Sequence, residues 1–127
     1  MGTFVISKRF NGDYKFVFAS RKGKTIFTSI GTKQKVDCEL MIDAIRENPS
    51  QFAFTKIKSA SGKFSFRLSK GGLVLANSRK YTTELRVQKG IDEILKYASK
   101  GETLDFSDSD FAFPDAAEVF GEAEEIL

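Results

Sequence analysis

Two serines, two aspartates and one cysteine are the residues of this chain best suited to carry chemistry, and no histidine accompanies them. Ser29 and Ser78 each close an apolar run, Ile26-Phe27-Thr28-Ser29 and Leu75-Ala76-Asn77-Ser78. A nucleophilic serine needs a base beside it and donors for the oxyanion. Lys33 stands four residues after Ser29, but Thr82 holds that place after Ser78. The pattern therefore predicts hydroxyls that bond a neighbouring backbone group at a strand end. Asp43 and Asp92 fall near the edge of a helical stripe. Metal or acid–base use needs a converging cluster, so a solvated helix face or an ion pair is expected. Cys38 aligns with Val87, which predicts a small buried side chain; a reactive thiol would need an electropositive, partly exposed setting, for which Lys33 and Lys35 are the nearby cations. Without histidine the usual general base near neutral pH is missing, and a zinc site has almost no donors. Neither "RKGK" at 21–24 nor "KGG" at 70–72 has phosphate-loop spacing. The sequence predicts no enzyme, no catalytic or metal-binding residue and no cofactor.

These residues recur because the elements around them recur. Phe4, Lys8, Gly12, Phe16 and Phe18 stand 50 positions before Phe54, Lys58, Gly62, Phe66 and Leu68. Past a turn that is one residue shorter in the second copy, the offset becomes 49. It then aligns Gly23 with Gly72, Ile26 with Leu75, Ser29 with Ser78 and Ile42 with Ile91. Tyr14, Phe16 and Phe18, then Phe64, Phe66 and Leu68, alternate with smaller or polar residues, the period of a strand with one apolar face. "NGD" at 11–13 and "SGK" at 61–63 are hairpin turns. Cys38, Ile42 and Ile45, and Val87, Ile91, Ile94, Leu95 and Ala98, form helical stripes. Thr32 and Thr82 are the expected N-caps, and Asn48-Pro49-Ser50 ends the first helix. A unit of about 45 residues is small for a core of its own, so the two should share one. The expected fold is α+β: a two-layer sandwich from two tandem β-β-β-α repeats, residues 3–48 and 51–99. It has a six-stranded antiparallel sheet with two helices on one face, within a domain spanning 1–101.

The pattern resembles the YegP-like family of tandem-repeat domains. The residues that carry it are Gly12–Phe18, Ile26-Phe27-Thr28-Ser29 and Met41-Ile42 in the first unit. In the second they are Gly62–Leu68, Leu75-Ala76-Asn77-Ser78, Tyr81 and Gly90-Ile91-Asp92-Glu93-Ile94. The resemblance covers about residues 3–98, implies the same two-layer fold and brings no activity with it. Thr32 and Met41 depart from the pattern where the second unit has Tyr81 and Gly90. A pocket that relies on those residues would exist once.

Charge divides the chain. Residues 1–101 hold all 20 Lys and Arg, and residues 102–127 hold 9 of the 17 Asp and Glu with no cation. Arg9, Lys15 and Arg67 are the cations expected on the open sheet face, as candidate nucleic-acid contacts. Most aromatics take the core parity; Phe27 is an exception, as is the aliphatic Ile57, so the stacking platform of an RNA-reading sheet is missing. The acidic tail at 102–127 has a polar start, and its spacing predicts a short helix over 115–127. Phe111, Phe113 and Phe120 are its expected docking residues, on its own domain or on a second copy. No apolar run suits a membrane span or a leader, and a single cysteine suits a reducing compartment; a cytoplasmic location is expected. The leading reading is a non-enzymatic protein-interaction module, with a homodimer as one expected assembly. The alternatives are a nucleic-acid-binding protein whose basic surface its acidic tail covers, and a small-molecule-binding domain with a pocket between the repeats.

Overall fold

The computed structural model describes residues 2–107. Phe111, Phe113, Phe120 and the helix expected over 115–127 lie outside the described residues. The first half runs β1 (Thr3–Lys8), β2 (Tyr14–Ala19), β3 (Thr25–Ser29) and α1 (Lys35–Glu47). The second runs β4 (Ala53–Lys58), β5 (Phe64–Lys70), β6 (Leu73–Ser78) and α2 (Glu84–Tyr97), and β7 (Glu102–Asp105) follows. The strands form one sheet in the order β4-β5-β6-β3-β2-β1-β7. The fold is α+β, but the sheet has seven strands where six are expected, and it is mixed: β7 runs parallel to β1.

The seventh strand comes from residues expected to be polar tail. What holds it is remote in sequence. Arg46, in the last turn of α1, donates from Nε to the Gly101 carbonyl at 2.9 Å and from Nη2 to Thr103 Oγ1, with its guanidinium over the Phe4 ring. Lys35 pairs with Asp105 at 3.1 Å, and the Phe106 N–H donates to the Ile6 carbonyl at 2.9 Å. Gly101 admits the chain here, because a Cβ would stand 2.9 Å from the Phe4 ring.

The core gathers Phe4, Phe16, Phe18 and Phe27 with Phe66 and Leu68, under Cys38, Ile42 and Ile45 of α1 and Val87, Ile91 and Ile94 of α2. Phe27 is fully buried, against the expected parity. Its strand bulges: Phe18 pairs with Phe27 and Ala19 with Thr25, leaving Ile26 as the extra residue. A bulge sets two residues against one, so Ile26 and Phe27 both join the core. β6 bulges likewise at Leu75.

The halves meet where β3 pairs with β6 antiparallel, Phe27 with Ser78, Thr28 with Asn77 and Ser29 with Ala76. Thr28 and Asn77 are 49 positions apart, so this pair lies on a local twofold relation. The flanking bonds match it: the Ile30 N–H donates to the Leu75 carbonyl at 2.9 Å, and the Arg79 N–H to the Ile26 carbonyl at 3.0 Å.

The expected N-caps are displaced. Bridges from Tyr14 to Thr32 and from Phe64 to Tyr81 hold the chain extended past the strand ends. The helices therefore start later, with Gln34 and Thr83 as N-caps; Thr83 Oγ1 accepts the Arg86 N–H at 3.2 Å. Thr32 instead donates to the Gln34 carbonyl at 2.9 Å, and Thr82 lines a cleft.

Candidate functional site

Each of the repeated serines is bonded to backbone. Beyond Thr28 the β3 chain takes four steps to Thr32, while β2 takes three from Val17 to Tyr14. That mismatch leaves the Phe16 N–H without a strand partner. Ser29 Oγ accepts it at 2.9 Å and donates to the Ile30 carbonyl at 2.9 Å. Ser78 does the same for Phe66, accepting at 2.8 Å and donating to the Arg79 carbonyl at 2.7 Å. A buried N–H left unmade costs about 1–3 kcal/mol, which explains a serine at each position. Asp43 and Asp92 are exposed; Asp43 pairs with Arg46 at 3.6 Å and Asp92 accepts from Gln88 at 2.8 Å. Cys38 is buried beside Thr32 Oγ1 at 3.4 Å, and burial pushes its thiol up, away from the reactive thiolate.

The three cations expected on one open face are not brought together. Arg67 is exposed on β5, but Lys15 on β2 is only 2% exposed. Val17, Thr28, Asn77 and Arg67 form one row across the sheet. Arg67 and Lys15 are thus at least three strand spacings apart, about 14 Å. Arg9 lies past the end of β1 in the turn, its N–H on the Asp13 carbonyl at 2.7 Å. Lys8 and Lys58 instead cover the rings of Tyr14 and Phe64 at 5.5 and 5.6 Å.

Cations do converge elsewhere. A cleft of about 340 Å³ opens between the β2–β3 turn of the first half and the β6–α2 loop and α2 of the second. Among the described residues its lining includes Lys24, Arg79, Lys80, Arg86 and Lys89 against one carboxylate, Glu93. Hydroxyls of Ser20, Thr25, Tyr81 and Thr82 lie among them. Tyr81 is the brace. The Arg79 guanidinium stands 5.5 Å over its ring. Its hydroxyl rests over Gly90, where a Cβ would come within 2.8 Å. Only glycine permits that approach without moving the ring. Burial pushes the Tyr81 phenol up, so it stays a neutral hydroxyl. Sequence reasoning found Tyr81 and Gly90 as a departure between the halves but missed Lys24, Arg79, Arg86 and Lys89. Their signal was a cluster of cations at 79, 80, 86 and 89 flanking Tyr81; Lys24 joins it only through the β3–β6 pairing.

No protein-family model matches the chain. It is 30% identical over 95 residues to the UPF0339 protein YegP of Escherichia coli (strain K12), a match that covers 73% of this chain and 86% of that protein. YegP of Shigella flexneri matches to the same extent. The solution NMR structure of E. coli yegP, a protein of unknown function, superposes with a TM-score of 0.78 at 27% identity, covering 86% of this chain and 96% of that one. A UPF0339 protein from Shewanella oneidensis shares the fold, with a TM-score of 0.79 at 19% identity over 90% and 98% of the two chains. With its helices, sheet and most of its length matched to YegP, this chain belongs to the UPF0339 (YegP) family.

Proposed function

We propose that the chain is a non-enzymatic binding module that takes an anionic small molecule in the cleft between its halves. One observation carries this reading: among the described residues, five cations from three separate segments face one cavity with a single carboxylate. The volume suits a small ligand, and the carboxylate within it suits a continuous phosphate backbone poorly. The surroundings of the nucleophilic side chains support a non-enzymatic reading. Both serine hydroxyls are committed to backbone, and the cysteine is buried. Because Thr32 and Met41 replace Tyr81 and Gly90 in the first half, one site per chain is expected.

Titration with inorganic pyrophosphate, followed by amide chemical shifts, tests the reading. Saturable shifts are expected at Lys24, Arg79–Thr82 and Arg86–Gly90, with one equivalent bound and an affinity that falls with salt. Replacing Arg79, Arg86 and Lys89 by the residues at the matching positions of the first half (Arg79→Ile, Arg86→Asp, Lys89→Leu) should cut affinity by about 100-fold or more, since each charge-assisted contact contributes about 1.5–3 kcal/mol. Shifts spread over every lysine-rich turn, or centred on Arg67, would overturn it.

A further inference from the structure

The charges in the cleft are sorted along its length, and their order says more about the ligand than their sum. Arg86, Gly90 and Glu93 occupy positions i, i+4 and i+7 of α2, one stripe of the helix. Glu93 therefore stands about 10 Å further along the axis than Arg86. Arg79 stands over the Tyr81 ring, and Lys89 lies between Arg86 and Glu93 along the helix, its stem leaning back toward the N-terminal, Arg86 side. Half-buried Glu93 is the only lining carboxylate among the described residues. A site for a bare anion gains nothing from it, because a carboxylate repels the ligand and weakens the field of the cations. It is useful to a ligand that carries hydrogen-bond donors away from its charge, since a carboxylate only accepts.

We infer that the cleft takes a phosphorylated polyol or sugar, its phosphate at the Arg79, Arg86 and Lys89 end and its hydroxyls donating to Glu93. This rests on the anion-binding reading above and adds the polar half of the ligand to it. A phosphate offers acceptors that match the planar fork of an arginine. Gly90, between the two ends of the stripe, leaves room for the Tyr81 hydroxyl, a donor or acceptor at mid-cleft. The volume of about 340 Å³ is at the small end of the range for ligand pockets, about 300–1,000 Å³, and so suits a single sugar better than an oligomer.

Parallel titrations of the full chain with a hexose monophosphate, inorganic phosphate and the unphosphorylated hexose separate the two levels. The hexose monophosphate should bind about tenfold or more tighter than inorganic phosphate, a difference of about 1.4 kcal/mol, and the free hexose should not bind measurably. Glu93→Gln should lose most of that advantage while leaving inorganic phosphate as tight or tighter; Arg86→Ala should weaken both. Melting temperatures within a degree or two of the parent would confirm that the variants fold. If inorganic phosphate binds as tightly as the sugar phosphate, or if Glu93→Gln strengthens both equally, Glu93 is not a ligand contact and this inference fails while the anion site stands. If neither phosphate binds, both fail.

Discussion

The two seams on either side of the Thr28–Asn77 pair are built on one backbone plan and surfaced in opposite ways. On one side Arg79, Tyr81, Arg86, Lys89, Gly90 and Glu93 of the second half meet Lys24 of the first. At the offset of 49, the positions on the other side are Ile30, Thr32, Asp37, Leu40, Met41 and Ala44, with Leu73 in the place of Lys24. Arg79, Lys89 and Lys24 have given way to apolar side chains and Arg86 to the carboxylate Asp37, and Leu40 and Leu73 are left 61% and 62% exposed. The backbone bonds at the two seams match to within 0.1 Å, 2.9 against 3.0 Å. The difference teaches that the plan fixes where a cleft can form, and that a few side chains decide whether it can hold charge. The sheet edges diverge in the same way. β1 buries Phe4 and Ile6 and is covered by β7, whereas β4 has Lys56 at the position matching Ile6 and pairs it with Glu84 at 4.0 Å. A charge on the core side of an edge strand discourages further strand addition.

If both seams belong to one body, the core between them should fail as a unit, and this carries the largest expected effect. Phe16→Ala and Phe66→Ala should each lower stability by about 3–5 kcal/mol, with a single urea transition seen by probes in either half. A half that stays folded after the other has melted would break the comparison. A smaller effect tests the Tyr81–Gly90 contact. Gly90→Met, which copies the other seam, should cost about 1–3 kcal/mol by overpacking against Tyr81, while Met41→Leu at the matching position should cost less than about 1.5 kcal/mol. Thermal melts measure both; equal losses would mean that the glycine serves no close approach.

The smallest effect belongs to the covered edge. Burial pushes the Asp105 carboxyl up, but hydrogen bonds from Ser107 (N–H at 2.9 Å, hydroxyl at 2.5 Å) and the Lys35 ammonium together hold it below the usual carboxylate value. A carboxyl lowered on folding contributes stability above its unfolded value of about 3.9 and loses it as pH falls through the folded one. Because Asp105 and Lys35 are both partly exposed, the contribution should be under about 1 kcal/mol. Exchange protection of the Phe106 N–H, corrected for intrinsic rates, should fall between pH 6 and pH 3 in the parent and change little in Asp105→Asn. Equal pH dependence in both would mean that Asp105 does not help to hold β7 on β1.

Much of the fold was legible because its signals are local. Alternation in β2 and β5, the glycine turns and the helical stripes depend on residues near one another in the chain, and the aligned serines fell into aligned roles. Phe27 was misjudged because a bulge breaks the period of two, and the bulge is set by the partner strand. Lys15 was misplaced because a face inferred as open from polarity is not thereby exposed. Of the candidate cleft, only Tyr81 and Gly90 were visible, as a break in the repeat.

The sequence by itself determined the strand–strand–strand–helix order of each half, the shared phenylalanine core and the lack of histidine. These follow from side-chain period and residue type, which need no distant partner. The tertiary structure alone decided the parallel seventh strand and the meeting of Lys24 with Arg79, Arg86 and Lys89. Each depends on segments more than 40 residues apart in the chain, and chain connectivity carries no record of which distant charges will share a cavity.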